Sequence, residues 1–249
     1  MPKHNNSASR LHGLFSQLQG PPDQTQVLSG WVQAFAISES TPKRQAFEVA
    51  RRLESVNREL GLVRNGMSQA TYSPSLYEGA LSAFEEAASP MLLPHTWNNV
   101  RQYLTPQNLL SLEFCSEILP DEESVISSEE LAEILGLVAN LREAAQSENI
   151  PPGLQALLLH HVELIERAVA AYPITGVKAL REAAQTGLGE LVESKDAVAE
   201  YSGSEEVSKL AKAWKKVGEV ADSALKVDKL VQVGHKAWNL IETIWNSAG

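Results

Sequence analysis

The sequence predicts an all-α fold, a helical bundle or irregular helical array with a long amphipathic C-terminal helix. Three observations predict it. Apolar residues recur at three- and four-residue steps along most of the 249 residues. Serine or threonine precedes proline where a capping side chain and a first-turn proline would stand. No run alternates with the two-residue period of a strand, and the Asn65-Gly66 pair lacks alternating apolar flanks.

Thr41-Pro42 opens a helix whose apolar positions are Ala46, Val49, Ala50, Leu53, Val56 and Leu60, with Gly61 as its expected stop. Asn65-Gly66 reads as a loop. Ser73-Pro74 opens the next helix, through Tyr77, Ala80, Leu81, Phe84 and Ala88, and Thr105-Pro106 another, through Leu109, Leu110, Leu112 and Phe114. These three starts are spaced 32 residues apart, near a helical-hairpin repeat period, but their flanking residues do not match one another. Ser127-Ser-Glu-Glu130 is a capping box, because Glu130 can reach back to the Ser127 amide. It leads into Leu131, Ile134, Leu135, Val138 and Leu141. Pro151-Pro152 opens a helix carrying Leu154, Leu157, Leu158, Leu164, Ile165, Ala168 and Tyr172, which Pro173 is expected to close. Val177, Leu180, Ala184, Leu188 and Leu191 mark one more helix.

Composition narrows the function classes. With 15 glycines, 12 prolines and the single Cys115, collagen-like and disulfide-rich classes are excluded. The net charge of -10 argues against binding nucleic acid, which asks for a basic face. The excess negative charge lies within 121–204, where five basic groups stand against fifteen acidic ones. Seven of the 11 lysines and three of the five tryptophans, by contrast, lie beyond residue 204. The first residues form no apolar stretch of signal-peptide length, and no window approaches the ~18 apolar residues of a membrane span. The expectation is a cytoplasmic protein, with peripheral membrane association open.

The expected organisation is a helical domain over 1–193, divisible into 1–120 and 121–193, a linker over 194–204, and an amphipathic C-terminal helix over 205–249. The linker lacks large aliphatics except Val198 and ends in Ser-Gly-Ser204, and Ser204-Glu205-Glu206 reads as a cap with acidic first-turn residues. From Leu210, every seventh residue is Val217, Ala224, Val231, Trp238 and Trp245. Three residues after the first five of these six positions stand Ala213, Val220, Val227, Gly234 and Ile241. This is a heptad seam of coiled-coil type, with Lys212, Lys215, Lys226, Lys229 and Lys236 outside it. Its small residues allow close helix approach. Three readings stand: a helix docked on the chain's own body, a helix that meets a second copy or a protein partner, and a helix on a lipid surface. The last draws on Trp238 and Trp245, which share a face, though Asp222, Asp228 and Glu242 dilute the positive charge.

For chemistry the sequence offers little. It holds no nucleophile elbow, phosphate loop, dinucleotide fingerprint or zinc spacing, so no cofactor is expected. Cys115 lies on an apolar stripe and reads as a buried thiol more than a nucleophile. In His160-His161-Val-Glu163-Leu-Ile-Glu166, His160 and Glu163 are helix neighbours and the one candidate metal pair, in the reverse order of the Glu-x-x-His of di-iron bundles and without a second copy. His161 reads as a hydrogen-bonded core residue. The acidic run Asp121-Glu122-Glu123, with Glu129, Glu130 and Glu133, reads as a solvated loop and helix start, the alternative being a site for a basic partner.

The stretch from Ile150-Pro-Pro-Gly-Leu-Gln-Ala-Leu-Leu-Leu-His-His to Tyr172-Pro-Ile-Thr-Gly-Val-Lys-Ala-Leu-Arg-Glu-Ala resembles a helical segment of uncharacterised bacterial proteins, some linked to mobile elements. It covers about a quarter of the chain, and the lysine- and tryptophan-bearing tail is similar to the C-terminal part of those proteins. The resemblance implies a bacterial or phage origin and a setting in genetic conflict, and brings no activity or catalytic residue with it.

Together these readings give a non-enzymatic interaction protein. It would act through Leu210, Val217, Val220, Val227, Val231, Trp238, Ile241 and Trp245 on a protein partner or a second copy. The alternatives are a membrane-active effector using the same helix and a metal-dependent enzyme at His160 and Glu163.

Overall fold

The computed structural model describes residues 4–147, 150–194, 201 and 204–224. Among them the chain is all-α: α1 Ser7–Gln17, α2 Val27–Ala34, α3 Pro42–Ser68, α4 Glu78–Ala87, α5 Asn98–Arg101, α6 Pro106–Ile118, α7 Ser128–Ala145, α8 Pro152–Thr175, α9 Val177–Glu193 and α10 Glu205–Ala224. The only β pairing among these residues is an isolated antiparallel bridge between Gln26 and Thr96. The chain divides into two compact units. The first is Met1–Glu122 with Pro173–Gly176, and the second is Glu123–Tyr172 with Val177–Gly249.

The first unit is built around aromatic contacts. Phe15 of α1 stacks on Phe84 of α4 at 4.3 Å between ring centroids, and Trp31 of α2 meets Trp97 edge-on at 6.0 Å. Both tryptophans are fully buried. Gly30 lets them close, since a Cβ there would lie 2.3 Å from the Trp97 ring. The Trp97 indole donates to the Leu18 carbonyl at 3.1 Å. Asn6 caps α1 by accepting from the Ser9 amide, while its own amide nitrogen donates to the carbonyls of Ser116 and Leu119, each at 2.9 Å. One short side chain thus satisfies orphan groups at the start of α1 and the end of α6.

Two helix ends and one helix start differ from expectation. α3 does not stop at Gly61, and Asn65-Gly66 is not a loop; the helix runs on to Ser68. The extra turns bury Val63 and Met67 completely. Burying two such side chains is worth about 3–6 kcal/mol, against about 1 kcal/mol for each glycine in a helix interior. Gly66 is also where Leu119 approaches, 2.7 Å from a would-be Cβ. Likewise Pro173 does not close α8, which continues to Thr175 and ends at Gly176 in the left-handed region, φ 64°. The Thr41 and Thr105 side chains cap α3 and α6 through the amides of Arg44 and Asn108, but Ser73-Pro74 opens only a 3-10 turn before α4. The 32-residue spacing therefore marks no repeated unit.

The second unit packs α7, α9 and α10 around one core with the stretch of α8 through Tyr172. The Ser127–Glu130 capping box forms as read: the Ser127 hydroxyl accepts from the Glu130 amide, and Glu130 accepts from the Ser127 amide at 2.9 Å. Ser204 caps α10 by accepting from Val207 N–H at 3.2 Å. The segment from 205 is therefore no separate domain as far as Ala224. The break expected between 120 and 121 falls between Glu122 and Glu123.

Candidate functional site

The helix α10 carries the residues on which the sequence reading rested. Leu210, Val217 and Val220 are 0 %, 0 % and 2 % exposed, in one core with residues of α7, α8 and α9. Of the three readings of this helix, the described part is docked on the chain's own body. Val227, Val231, Trp238, Ile241 and Trp245 lie outside the described residues.

The buried face is wider than a coiled-coil seam. It comprises Val207, Leu210, Ala213, Trp214, Val217, Val220, Ala221 and Ala224. Beyond the two seam positions it takes in Val207, Trp214 and Ala221, giving the broad stripe of a helix packed on a globular body. Trp214 sits against Gly187 of α9, where an added Cβ would stand 2.2 Å from the indole ring. The charge segregation of the sequence has a counterpart here. Lys216 of α10 pairs with Glu133 of α7, and that bond is the first cause of its raised pKa. Glu143 of α7 adds to the field on Lys209, whose pKa is raised first by its hydrogen bond to Glu205.

His160 and Glu163 are engaged by different partners. The His160 ring lies 2.8 Å from Glu190 of α9, and Glu163 accepts from Arg167 at 2.9 Å one turn along its own helix. Among the described residues no three histidine, cysteine or acidic side chains gather to hold a metal. His161 is fully buried, as read, but not hydrogen-bonded: neither ring nitrogen has a protein partner. It stands edge-on to Trp214, centroids 5.7 Å apart and planes at 89°. Burial foremost, then the neighbouring His160, pushes its pKa down to about 4, and Glu190 opposes this. It is a neutral imidazole at neutral pH.

The acidic run is solvated only in part: Glu129 and Glu133 are exposed, Asp121 and Glu122 are half-buried, and Glu123 is buried. Asp121 accepts from the Asn5 amide at 2.9 Å, and Glu122 accepts from the Ser7 hydroxyl at 2.7 Å and from Arg10 at 2.8 Å. Glu123, 2 % exposed, accepts from the Val177 amide at 2.7 Å. A carboxylate placed at the first amide of α9 meets the positive end of that helix. The sequence reading missed Arg10. This nearly buried guanidinium also reaches Glu59 at 3.2 Å and donates to the Ile174 carbonyl at 3.1 Å. No local pattern announces it, because its partners lie 49 and 112 residues away. Cys115 is fully buried, and burial pushes its thiol up to about 11, the reverse of an activated nucleophile.

Among the described residues no helix is long and apolar enough to cross a membrane. Comparisons with protein-family models, curated proteins and solved structures find no match for this chain.

Proposed function

We propose that the chain is a non-enzymatic interaction protein that engages a protein partner through its C-terminal segment, a second copy of the chain being the partner tested most directly. One observation carries this reading. The spacing at which Leu210, Val217 and Val220 are buried against other helices continues in sequence through Val227, Val231, Trp238, Ile241 and Trp245. Apolar residues at helical spacing, with two tryptophans among them, call for an apolar surface to meet.

Light scattering on the full chain and on a chain ending at Ala224 tests it. A mass of two or more copies for the full chain, falling to one for the shorter chain, is the expected result. One copy in both defeats the self-association form, and binding of the full chain to anionic vesicles would put a lipid surface in the partner's place.

A further inference from the structure

The contact at Trp214 is well packed in shape and poorly satisfied in polar terms. His161 is fully buried and Trp214 is 1 % exposed, yet both imidazole nitrogens and the indole nitrogen lack a protein hydrogen-bond partner. The two rings meet edge-on, 5.7 Å between centroids, without a hydrogen bond between their nitrogens. Three polar atoms at one helix contact have given up water without a protein replacement. The polar neighbours offer no relief, since His160 and Glu190 pair with each other. The docked state of α10 is therefore held less firmly than its apolar face implies. Lifting α10 away would return the indole N–H and the imidazole to water.

We propose that α10 is a releasable strap: unit two holds it by the Trp214 seat on Gly187 and His161, at a polar cost that keeps it poised to lift, and lifting it bares Leu210, Val217 and Val220. The bared face is apolar and carries the heptad spacing of Leu210, Val217 and Val220, which suits it to a second copy of the chain. This regulation rests on the function proposed above for what the strap meets. The docking equilibrium itself needs no partner. Partner binding then competes with α7 and α9 for one face, and the free energy of lifting α10 sets the threshold.

Hydrogen exchange on the full chain, read on peptides from 205–224 below the concentration of any self-association, tests the strap. His161→Leu removes two of the three unpartnered atoms at about the same volume and is expected to slow exchange there about tenfold, the equivalent of one such group. His161→Met is the second apolar replacement, should the first fail to fold. Gly187→Ala drives a methyl group into the Trp214 ring and is expected to speed exchange tenfold or more in the same peptides. Peptides from 49–67, in the first unit, serve as the internal reference and stay constant. Exchange in the His161 variants equal to or faster than in the parent chain overturns the proposal, because a histidine that merely packs well would give that result. Unchanged exchange in Gly187→Ala overturns it as well. A single-copy mass for the parent chain would instead strike at the proposed function and leave the exchange result standing.

Discussion

The Glu123 carboxylate accepts a hydrogen bond from the Val177 amide across 2.7 Å, joining the residue just past the first unit's opening stretch to the first turn of α9. Around it the chain ties several helix ends together. Ser124 N–H donates to the Ala224 carbonyl at 2.7 Å, capping the last described turn of α10, and Ile126 N–H donates to the Tyr172 hydroxyl at 2.9 Å. Four residues of irregular chain thus satisfy orphan backbone groups on α9 and α10 and hold the Tyr172 hydroxyl of α8. Glu123→Ala is expected to cost about 2 kcal/mol, the worth of a charge-assisted cap in a buried setting. Urea unfolding of the second unit measures it. A loss within about 0.5 kcal/mol of zero would show the carboxylate to be dispensable.

Protonation of His161 gives the second unit a defined response to acid. Its folded pKa, about 4, lies below the 6.5 of an unfolded imidazole, so the unfolded chain takes up its proton first as pH falls. The stability tied to the neutral ring is whole above pH 6.5 and drains away between pH 6.5 and 4, about 3 kcal/mol in full. Unfolding free energies at pH 7.5 and 5.0 check this. The parent chain should lose about 2 kcal/mol more across that interval than His161→Leu. Parallel losses in the two chains would contradict it.

Arg10 holds the charges of the first unit together. Its side chain is 9 % exposed and that of Glu59 only 1 %. Arg10→Ala takes from the buried Glu59 carboxylate a cation 3.2 Å away and is expected to cost about 3–5 kcal/mol. Arg10→Ala in a Glu59→Gln background should cost visibly less. A double-mutant cycle with no coupling between the two positions would refute the pairing.

Gly30 is predicted to reject a methyl group. A Cβ there would lie 2.3 Å from the fully buried Trp97 ring, so the ring or the helix would have to shift. Gly30→Ala gains about 1 kcal/mol of helix propensity and loses about 2–3 kcal/mol to overpacking, a net destabilisation of about 1–2 kcal/mol. Thermal unfolding that rises on this substitution would show that the ring moves freely.

Much of the helix inventory was legible in the sequence because its signals are local. The Ser127–Glu130 box and the Thr41 and Thr105 caps need only three or four residues to declare themselves. The misread boundaries share one cause. Gly61, Asn65-Gly66 and Pro173 are stop signals of about 1–3 kcal/mol, and burial of Val63, Met67 and Ile174 outweighs or offsets them. That balance depends on which surface waits opposite. The docking of α10 was half legible. The seam at Leu210, Val217 and Val220 is visible as a period, but the burial of Val207, Trp214 and Ala221, which separates a packed helix from a coiled coil, depends on the helices that meet them. The pairings of Arg10 with Glu122 and of Glu123 with Val177 span 112 and 54 residues and leave no trace in a linear pattern.

The central claim, in the form tested most directly, is that the C-terminal segment meets a second copy of the chain through its apolar residues. Sedimentation of the full chain with Val231→Glu and Trp238→Glu together, against the parent chain at equal concentration, tests it most directly. The account predicts that the parent sediments as an assembly and the substituted chain as a single copy with its helical content retained. Equal sedimentation of the two as single copies, with no change on mixing them, would contradict it.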